Sequence, residues 1–275
     1  MRDGLPSASI IVPAYNEAAR IGATLRAIAS YGQISSITPL ELIVVDDGST
    51  DDTAGIARRV LGEARTLSWR VLRYAENRGK GFAVRRGLLA ARAPVALFTD
   101  ADLSTPIDEM PQILADILSG EADVTFGSRA LDRRLIGVRQ PMRRELGGRA
   151  FNLVLRAATG LPFWDTQCGF KAFRMSVCRP LVEAATIDGF GFDIELLYEA
   201  YRAGLRMREI AVRWDHRDGS KVHFLRDGSR MLRDVFTVRL RGAEGFYDSG
   251  IRRAGLAARQ DPLLRMRPVP RRAIA

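Results

Sequence analysis

The chain has 275 residues, of which 47% are hydrophobic and 27% charged, and its formal net charge is +10. This composition is typical of a globular protein with a full hydrophobic core and excludes a disordered chain. The sequence has no apolar run of the roughly 18 residues that a membrane-spanning helix needs, and its two cysteines are too few for a disulfide framework.

Strand-like and helix-like patterns alternate through the first half of the chain. The predicted strands lie near residues 9–13, 41–46, 69–73, 95–99 and 122–126. The predicted helices lie near residues 17–31, 51–63, 80–91 and 107–118. This alternation predicts a mainly parallel sheet covered by helices.

The second half is less regular. A basic segment from Arg129 to Arg149 predicts a loop followed by a helix. Further strands are predicted near 169–174 and 207–214, further helices near 176–185 and 192–203, and an amphipathic helix from about 223, with no clear pattern after 242. We therefore expect an α/β domain with a mixed, mainly parallel sheet over residues 7–222, followed by an amphipathic helix and a basic tail over residues 223–275.

Two carboxylates stand at the end of the fourth predicted strand. Asp100 and Asp102 directly follow the apolar run 95–99. Alternate residues of an extended chain point the same way, so the pair can share one hard cation, and ligands of open α/β sheets bind beyond the carboxyl ends of strands. A divalent ion there can stabilise a diphosphate leaving group. A helix start at residues 104–106 is the alternative interpretation.

Polar groups also follow the first two predicted strands. Tyr15 and Glu17 come after the first strand, and Asp46 and Asp47 end the second. We expect these side chains at the same edge as the Asp100/Asp102 pair, where carboxylates can accept hydrogen bonds from a nucleobase and a ribose. Simple strand-to-helix turns, with Asn16 or a residue of the 49–50 pair as helix cap, are the alternative.

The positive charge calls for an anionic partner. The sequence has no helix-turn-helix, zinc-finger or aromatic RNA-binding signature, which argues against nucleic acid and leaves anionic lipid and phosphorylated substrates. Lysine is rare: Lys80, Lys171 and Lys221 each stand in a segment flanked by glycine or serine. A lysine offers a compact point charge rather than a guanidinium fork, which indicates that these positions are selected.

The polar strand ends and a further series of motifs occur together in one order. The series is Asn77–Gly87, Leu97–Asp102, Gly127–Arg129, Asp165–Lys171, Phe192–Tyr198 and Gly219–Lys221. The set resembles the inverting family 2 glycosyltransferases of the GT-A fold, in particular the dolichyl-phosphate β-glucosyltransferases and, more distantly, the dolichyl-phosphate mannose synthases. The resemblance spans about residues 8 to 240, and Asp165–Lys171 is its most specific segment.

The resemblance implies a metal-dependent enzyme that moves glucose from UDP-glucose to a polyprenyl phosphate with inversion, using Mg²⁺ or Mn²⁺. Transfer of a mannosyl or N-acetylhexosaminyl group, to a lipid phosphate or a soluble acceptor, is the alternative within this class. A basic binding module without catalysis is the alternative outside it. The sequence specifies no oligomeric state.

The resemblance also implies roles for individual residues. Asp165 and Asp102 are implied in catalysis, and Asp100 and Asp102 in metal binding. The mannose synthases carry a Gln two residues after the second metal Asp, where this chain has Ser104, so the third metal ligand stays open and His216 is a candidate for it. The donor site is implied to contain Pro13, Ala14, Tyr15, Glu17, Asp46, Asp47, Lys80, Asp100, Ala101 and Asp102. The acceptor phosphate is implied to meet Arg129, Arg143, Arg144, Arg149 and Lys221.

The segment from Phe224 to Thr237 suggests how such a chain meets a lipid. Its apolar side chains fall on one helical arc and Arg226, Arg230 and Arg233 on the opposite arc. Two interpretations stay open: the apolar arc packs on the domain, or it enters a bilayer while the arginines meet anionic headgroups. With the charge of +10, we expect a cytoplasmic protein peripherally associated with the cytoplasmic face of an anionic membrane.

Overall fold

The computed structural model describes residues 7–64, 67–138, 142–217 and 224–260, and for 142–146, 149–150 and 224–227 it gives only their place in a helix. The strands are Ala8–Ala14 (β1), Leu40–Asp46 (β2), Ser68–Arg73 (β3), Val95–Thr99 (β4), Val124–Ser128 (β5), Phe170–Arg174 (β6) and Met207–Ala211 (β7). The helices are Ile21–Ile34 (α1), Thr53–Gly62 (α2), Lys80–Ala90 (α3), Met110–Leu118 (α4), Met142–Thr159 (α5), Met175–Ala184 (α6), Phe192–Arg202 (α7), Phe224–Ala243 (α8) and Asp248–Gln260 (α9).

Within the described residues, the strands form one sheet in the order β3-β2-β1-β4-β6-β5-β7. Neighbouring strands are parallel except at β6, which runs antiparallel to both β4 and β5. The predicted mixed, mainly parallel sheet is therefore confirmed. Because β6 is reversed, its first residue, Phe170, pairs with the last residue of β4, Thr99. The segment that precedes β6 is thereby brought to the edge where β1, β2 and β4 end.

Helices cover both faces of the sheet. Strands β1, β2 and β4 are buried along their whole length, which explains their continuous runs of valine, isoleucine and leucine. Successive side chains alternate between two cores: Ile11 packs with α3, α6 and α7, whereas Ile10 and Val12 pack with α1, α2 and α4. Both cores hold the strand ends rigidly, so the loops that follow them are well positioned.

The described residues after 222 pack against the α/β unit. Val235 of α8 is fully buried against Leu155 of α5 and Ile194 of α7. Tyr247, just before α9, is fully buried, and α9 lies on α6 and α7. The expectation of no pattern after 242 was wrong, because α9 forms there with small residues such as Ala254 on its buried side. The division at residue 222 stays a prediction.

Candidate active site

A cleft of about 840 Å³ opens at the carboxyl edge of β1, β2 and β4. Its walls are the segment after β1, the loop 77–80, the turn 100–102, the loop 186–190 and one side of α8. Of the predicted donor residues, it is lined by Pro13, Ala14, Tyr15, Glu17, Asp47, Lys80, Asp100, Ala101 and Asp102. Asp46, which is fully buried beside them, accepts a hydrogen bond from the Ser49 backbone N–H at 3.0 Å.

Asp100 lies at the centre of the cleft wall. Its Oδ1 is 2.6 Å from the Lys80 Nζ. Burial lowers the pKa of Lys80, but the carboxylates of Asp100 and Asp193 outweigh this effect, so the pKa is raised and the amine is a cation. The other oxygen, Oδ2, lies over Gly169, where a Cβ atom would come within 2.0 Å of it. Gly169 therefore leaves room for this carboxylate.

Asp102 stands on a tight turn next to Asp100. Its Oδ1 accepts a hydrogen bond from the Ser104 backbone N–H at 2.9 Å. Leu103, which lies between Asp102 and Ser104, has a φ of 47°, a left-handed conformation that a leucine rarely adopts. Its N–H donates to the Asp100 carbonyl. Backbone strain of this kind is common where a site requires one geometry. The predicted helix start at residues 104–106 is confirmed, because a 3₁₀ turn over Ile107–Glu109 follows Pro106 and leads directly into α4.

The two carboxylates fit a divalent ion that the substrate shares. Mg²⁺ is typically held by one or two protein carboxylates together with substrate phosphates. In the described part of the chain, no three histidine, cysteine or acidic side chains are placed to hold a metal. Within that part, His216 is not grouped with Asp100 and Asp102, and its role as third metal ligand stays a prediction. Its backbone is tied to Val138 at 3.0 Å and its ring lies beside Trp214.

Asp47 organises the loop that carries Lys80. Its carboxylate accepts hydrogen bonds from the backbone N–H groups of Arg78 and Gly79, at 2.9 and 2.7 Å, and from the Asn77 amide at 2.9 Å. Burial raises its pKa, against the lowering effect of these N–H donors. The loop is held from its other side by Asp188, whose carbonyl accepts from the Gly81 N–H at 2.8 Å. Asp47 therefore shapes the cleft as well as lining it.

The segment after β1 is tied to the segment after β2. Asn16, with a φ of 52°, accepts from the Thr50 N–H at 2.8 Å and donates its own N–H to the Ser49 Oγ at 2.9 Å. The Glu17 N–H donates to the Thr53 Oγ1. The capping alternatives are wrong, since α1 begins at Ile21 and neither α1 nor α2 has a side-chain cap.

Asp165, which is buried, forms an ion pair with the half-buried Arg129. The Arg129 Nε and Nη2 donate to the two oxygens of Asp165 at 2.6 and 2.8 Å, and the Arg129 N–H adds a third bond at 3.0 Å. Burial raises the pKa of Asp165, but Arg129 outweighs it and lowers the pKa to about 2. The role of Asp165 in catalysis and the role of Arg129 at the acceptor phosphate stay predictions. In this structure the Arg129 guanidinium is already bound to Asp165.

This ion pair connects to the cleft through α8. The Gln167 N–H donates to Asp165 Oδ1 at 3.1 Å, and the Gln167 side-chain amide lies 3.7 Å from the sulfur of Met231, which lines the cleft. Arg143, Arg144 and Arg149 lie on α5, but their side chains, like Lys221 as a whole, are outside the described residues. Their predicted contact with the acceptor phosphate stays a prediction.

Sequence reasoning missed one wall of the cleft. Arg230, Arg233 and Arg241 of α8 line it, together with Asp234. The helical pattern did place Arg230 and Arg233 on one polar arc, but the pattern alone does not say which neighbour a polar arc faces. The loop 186–190 on this side was missed because it has no distinctive motif.

A second set of contacts fixes that loop from behind. Glu195 accepts from the backbone N–H groups of Thr186 and Ile187, at 3.0 and 2.8 Å, and from the Tyr247 hydroxyl at 2.8 Å. Nearby, Lys171 is buried and pairs with Asp193 at 2.7 Å. The loop is therefore held by α7 and by the residue that leads into α9.

Among the helices that the structure describes, none has the length and apolar character required to cross a membrane.

Comparison with known proteins identifies the family of this chain. The model of the family "Glycosyl transferase family 2" matches residues 9–181. The dolichyl-phosphate beta-glucosyltransferase of Drosophila melanogaster is 39% identical over 250 residues, which cover 87% of this chain and 76% of that protein. The enzyme of the same name from Dictyostelium discoideum is 32% identical over 248 residues, with the same coverage.

Among solved structures, glucosyl-3-phosphoglycerate synthase from Mycobacterium tuberculosis, in complex with Mn²⁺, UDP and glucosyl-3-phosphoglycerate, superposes with a TM-score of 0.64. It is 23% identical, and the match covers 86% of this chain and 80% of that one. This likeness confirms the predicted GT-A fold.

Proposed function

The chain belongs to glycosyl transferase family 2, and we propose that it transfers glucose from UDP-glucose to a polyprenyl phosphate of the dolichyl or undecaprenyl type, with inversion. The observation that carries the proposal is the Asp100/Asp102 pair in a cleft at the carboxyl edge of the sheet. Relatives named dolichyl-phosphate beta-glucosyltransferase, 29–39% identical over most of the chain, support the choice of glucose and of a lipid phosphate.

Asp102, with Asp100 beside it, would hold Mg²⁺ or Mn²⁺. When bound, the metal neutralises charge on the diphosphate of the donor as it departs. Lys80 places a fixed cation 2.6 Å from Asp100, at the same wall of the cleft. Such preorganised charges stabilise developing negative charge without reorganisation, which is the largest contribution in many enzymes.

The chemistry needs no strong base. An oxygen of the acceptor phosphate forms a bond to the anomeric carbon while the bond from that carbon to the diphosphate breaks, and UDP leaves. The acceptor is already an anion near neutral pH, so catalysis rests on positioning and charge stabilisation. Asp165, held by Arg129 and linked through Gln167 to Met231 at the cleft, is proposed to orient groups near the transferred sugar.

We further propose a peripheral association with anionic membrane. The net charge of +10 favours it, and so do Phe236 and Leu240 of α8, which are 64% and 60% exposed. The test is flotation with liposomes. Recovery with anionic vesicles that falls as salt is raised supports the proposal, whereas equal recovery with neutral vesicles contradicts it.

The activity is tested by release of UDP in the presence of Mg²⁺ and a short polyprenyl phosphate, with UDP-glucose compared against UDP-N-acetylglucosamine and GDP-mannose. We expect turnover that depends on the lipid phosphate and is highest with UDP-glucose, and a loss of about 10²–10³ in turnover in Asp102→Ala. A preference for another donor would establish the alternative hexosyl transfer. Binding of metal and UDP-glucose without lipid-dependent turnover would favour a binding module.

A further inference from the structure

The cations of the cleft differ in what they already contact. Lys80 pairs with Asp100 at 2.6 Å, and Arg78 pairs with Asp188 at 3.3 Å. Arg241 donates to the Thr186 hydroxyl at 2.6 Å. Arg20 pairs with Glu17 at 2.5 Å. These four side chains are already engaged within the cleft, and Lys80 lies at the wall proposed for the donor diphosphate.

Arg230 and Arg233 are different. Both line the cleft and both are exposed. Within the described ranges, neither guanidinium forms an ion pair within 4 Å, although Arg233 interacts electrostatically with the neighbouring Asp234. The neighbouring Asp234 accepts a hydrogen bond from the Gly191 backbone N–H, which directs it to the loop 186–190. Two guanidinium forks are thus available on one wall of an otherwise internally paired cleft.

Their position along α8 indicates which part of the substrates they meet. Arg230 adjoins Met231, whose sulfur contacts Gln167 next to Asp165, on the side proposed for the transferred sugar. Arg241, at the opposite end of α8, contacts Thr186 beside the loop that Asp47 organises. Helix α8 therefore runs from the sugar side of the cleft to the nucleotide side, with Arg230 and Arg233 at the sugar side.

The face of α8 beside Arg233 is apolar. Phe236 and Leu240 follow Arg233 by three and seven residues, so they lie on the same side of the helix, and the expectation that Arg233 lies opposite Phe236 was wrong. They are 64% and 60% exposed, whereas Met231, Val235 and Val238 on the other side are buried. Packing on the domain is therefore confirmed for Met231 and Val235, whereas entry of the segment into a bilayer stays a prediction.

We propose that Arg230 and Arg233 bind the phosphate of the lipid acceptor, with the start of its hydrocarbon chain lying over Phe236 and Leu240. The proposal rests on the proposed function and adds an acceptor subsite on α8 to it. Guanidinium forks suit phosphate oxygens, and an adjacent exposed apolar strip distinguishes a lipid phosphate from a free one. An in-line displacement also requires the nucleophile to approach the sugar from the side opposite the diphosphate. The diphosphate would lie at Asp100, Asp102 and Lys80.

The test uses Arg230→Gln, Arg233→Gln and the double variant of the full chain, with Arg252→Gln as control. Arg252 is an exposed arginine of α9 outside the cleft, so its substitution removes the same charge elsewhere. With geranyl phosphate, a short soluble acceptor, we expect the KM for the acceptor to rise about tenfold in each single variant, since a charge-assisted bond of ordinary strength corresponds to about that factor. The KM for UDP-glucose should change less than about twofold.

Three outcomes overturn the proposal. An acceptor KM unchanged in the double variant removes the subsite. A raised KM for UDP-glucose with an unchanged acceptor KM assigns the arginines to the donor diphosphate. A defect seen with polyprenyl phosphate in anionic vesicles but absent with geranyl phosphate assigns them to attraction of the membrane surface.

Direct binding separates this proposal from the proposed function. Calorimetric titration of the wild-type protein with geranyl phosphate and with inorganic phosphate needs no turnover. We expect geranyl phosphate to bind more tightly than inorganic phosphate, and the double variant to lose this binding. If the wild-type protein binds geranyl phosphate through these arginines and yet transfers no glucose to it, the proposed function fails while the subsite stands.

Discussion

Gly169 offers a substitution that tests the placement of Asp100 without changing either carboxylate. Gly169 does not have a left-handed φ, so alanine is compatible with its backbone. The added Cβ would lie 2.0 Å from Asp100 Oδ2, and real Cβ atoms do not approach closer than 3.0 Å. The carboxylate must therefore move by at least about 1 Å, well beyond the roughly 0.2 Å tolerance of metal–ligand distances.

The expected consequence follows from that displacement. A misplacement of about 1 Å in a catalytic arrangement can cost about 10²-fold in rate, or about 2.7 kcal/mol of transition-state stabilisation. We therefore expect Gly169→Ala to lower kcat for glucosyl transfer about a hundredfold and to weaken binding of Mn²⁺ in the presence of UDP. The fold should persist, because Asp100 is at the cleft and can turn outward into it.

The assay is steady-state transfer at saturating metal, with circular dichroism and thermal unfolding as checks on the fold. Gly62→Ala is the matched control, because a Cβ at Gly62 would meet nothing within 4 Å. Turnover in Gly169→Ala within about twofold of the control would show that the position of Asp100 is not critical and would refute the reasoning.

Three further predictions concern titratable side chains. Asp165→Asn leaves Arg129 without its counter-charge, so we expect unfolding by urea to show a loss of about 3–5 kcal/mol together with reduced kcat, and normal values of both would exclude a role. Glu199 is buried, and burial raises its pKa from 4.5 to about 9. The folded state thus keeps a proton that the unfolded state releases, so stability should fall as pH rises from about 4.5 to 9. Because glutamine does not titrate, the Tm of Glu199→Gln should rise relative to that of the wild type across this range. A Tm difference that is constant with pH would contradict this prediction. Lys80→Met removes the cation beside Asp100, so kcat should fall at least about tenfold while the Tm changes little, as measured by UDP release.

The sheet and the carboxylate edge were predictable because their physical signals are local. Uninterrupted apolar runs define β1, β2 and β4, and each is followed directly by the polar residues that reach the cleft. Parallel strands place their carboxyl ends at one edge whatever the details of the connections. Asp100 and Asp102 therefore came together with Glu17 and Asp47 as predicted.

The opposite wall was not predictable in the same way. The position of α8 depends on which face of it packs on α5 and α7, and the sequence pattern permits several. Helix α9 carries arginines and small residues rather than a strong apolar stripe, so its burial against α6 has little local signal. The resemblance implied Arg129 at the acceptor phosphate, which stays a prediction. Its pairing with Asp165 had no local signal, because Asp165 comes from a loop 36 residues away.

The central claim is tested most directly by following glucose from labelled UDP-glucose to a short polyprenyl phosphate and determining the anomeric configuration of the product by NMR. We expect a β-linked glucosyl phosphate, formed in the presence of Mg²⁺ or Mn²⁺ and abolished by EDTA. No transfer to the lipid phosphate at saturating metal, an α-linked product, or transfer that persists in EDTA would contradict it.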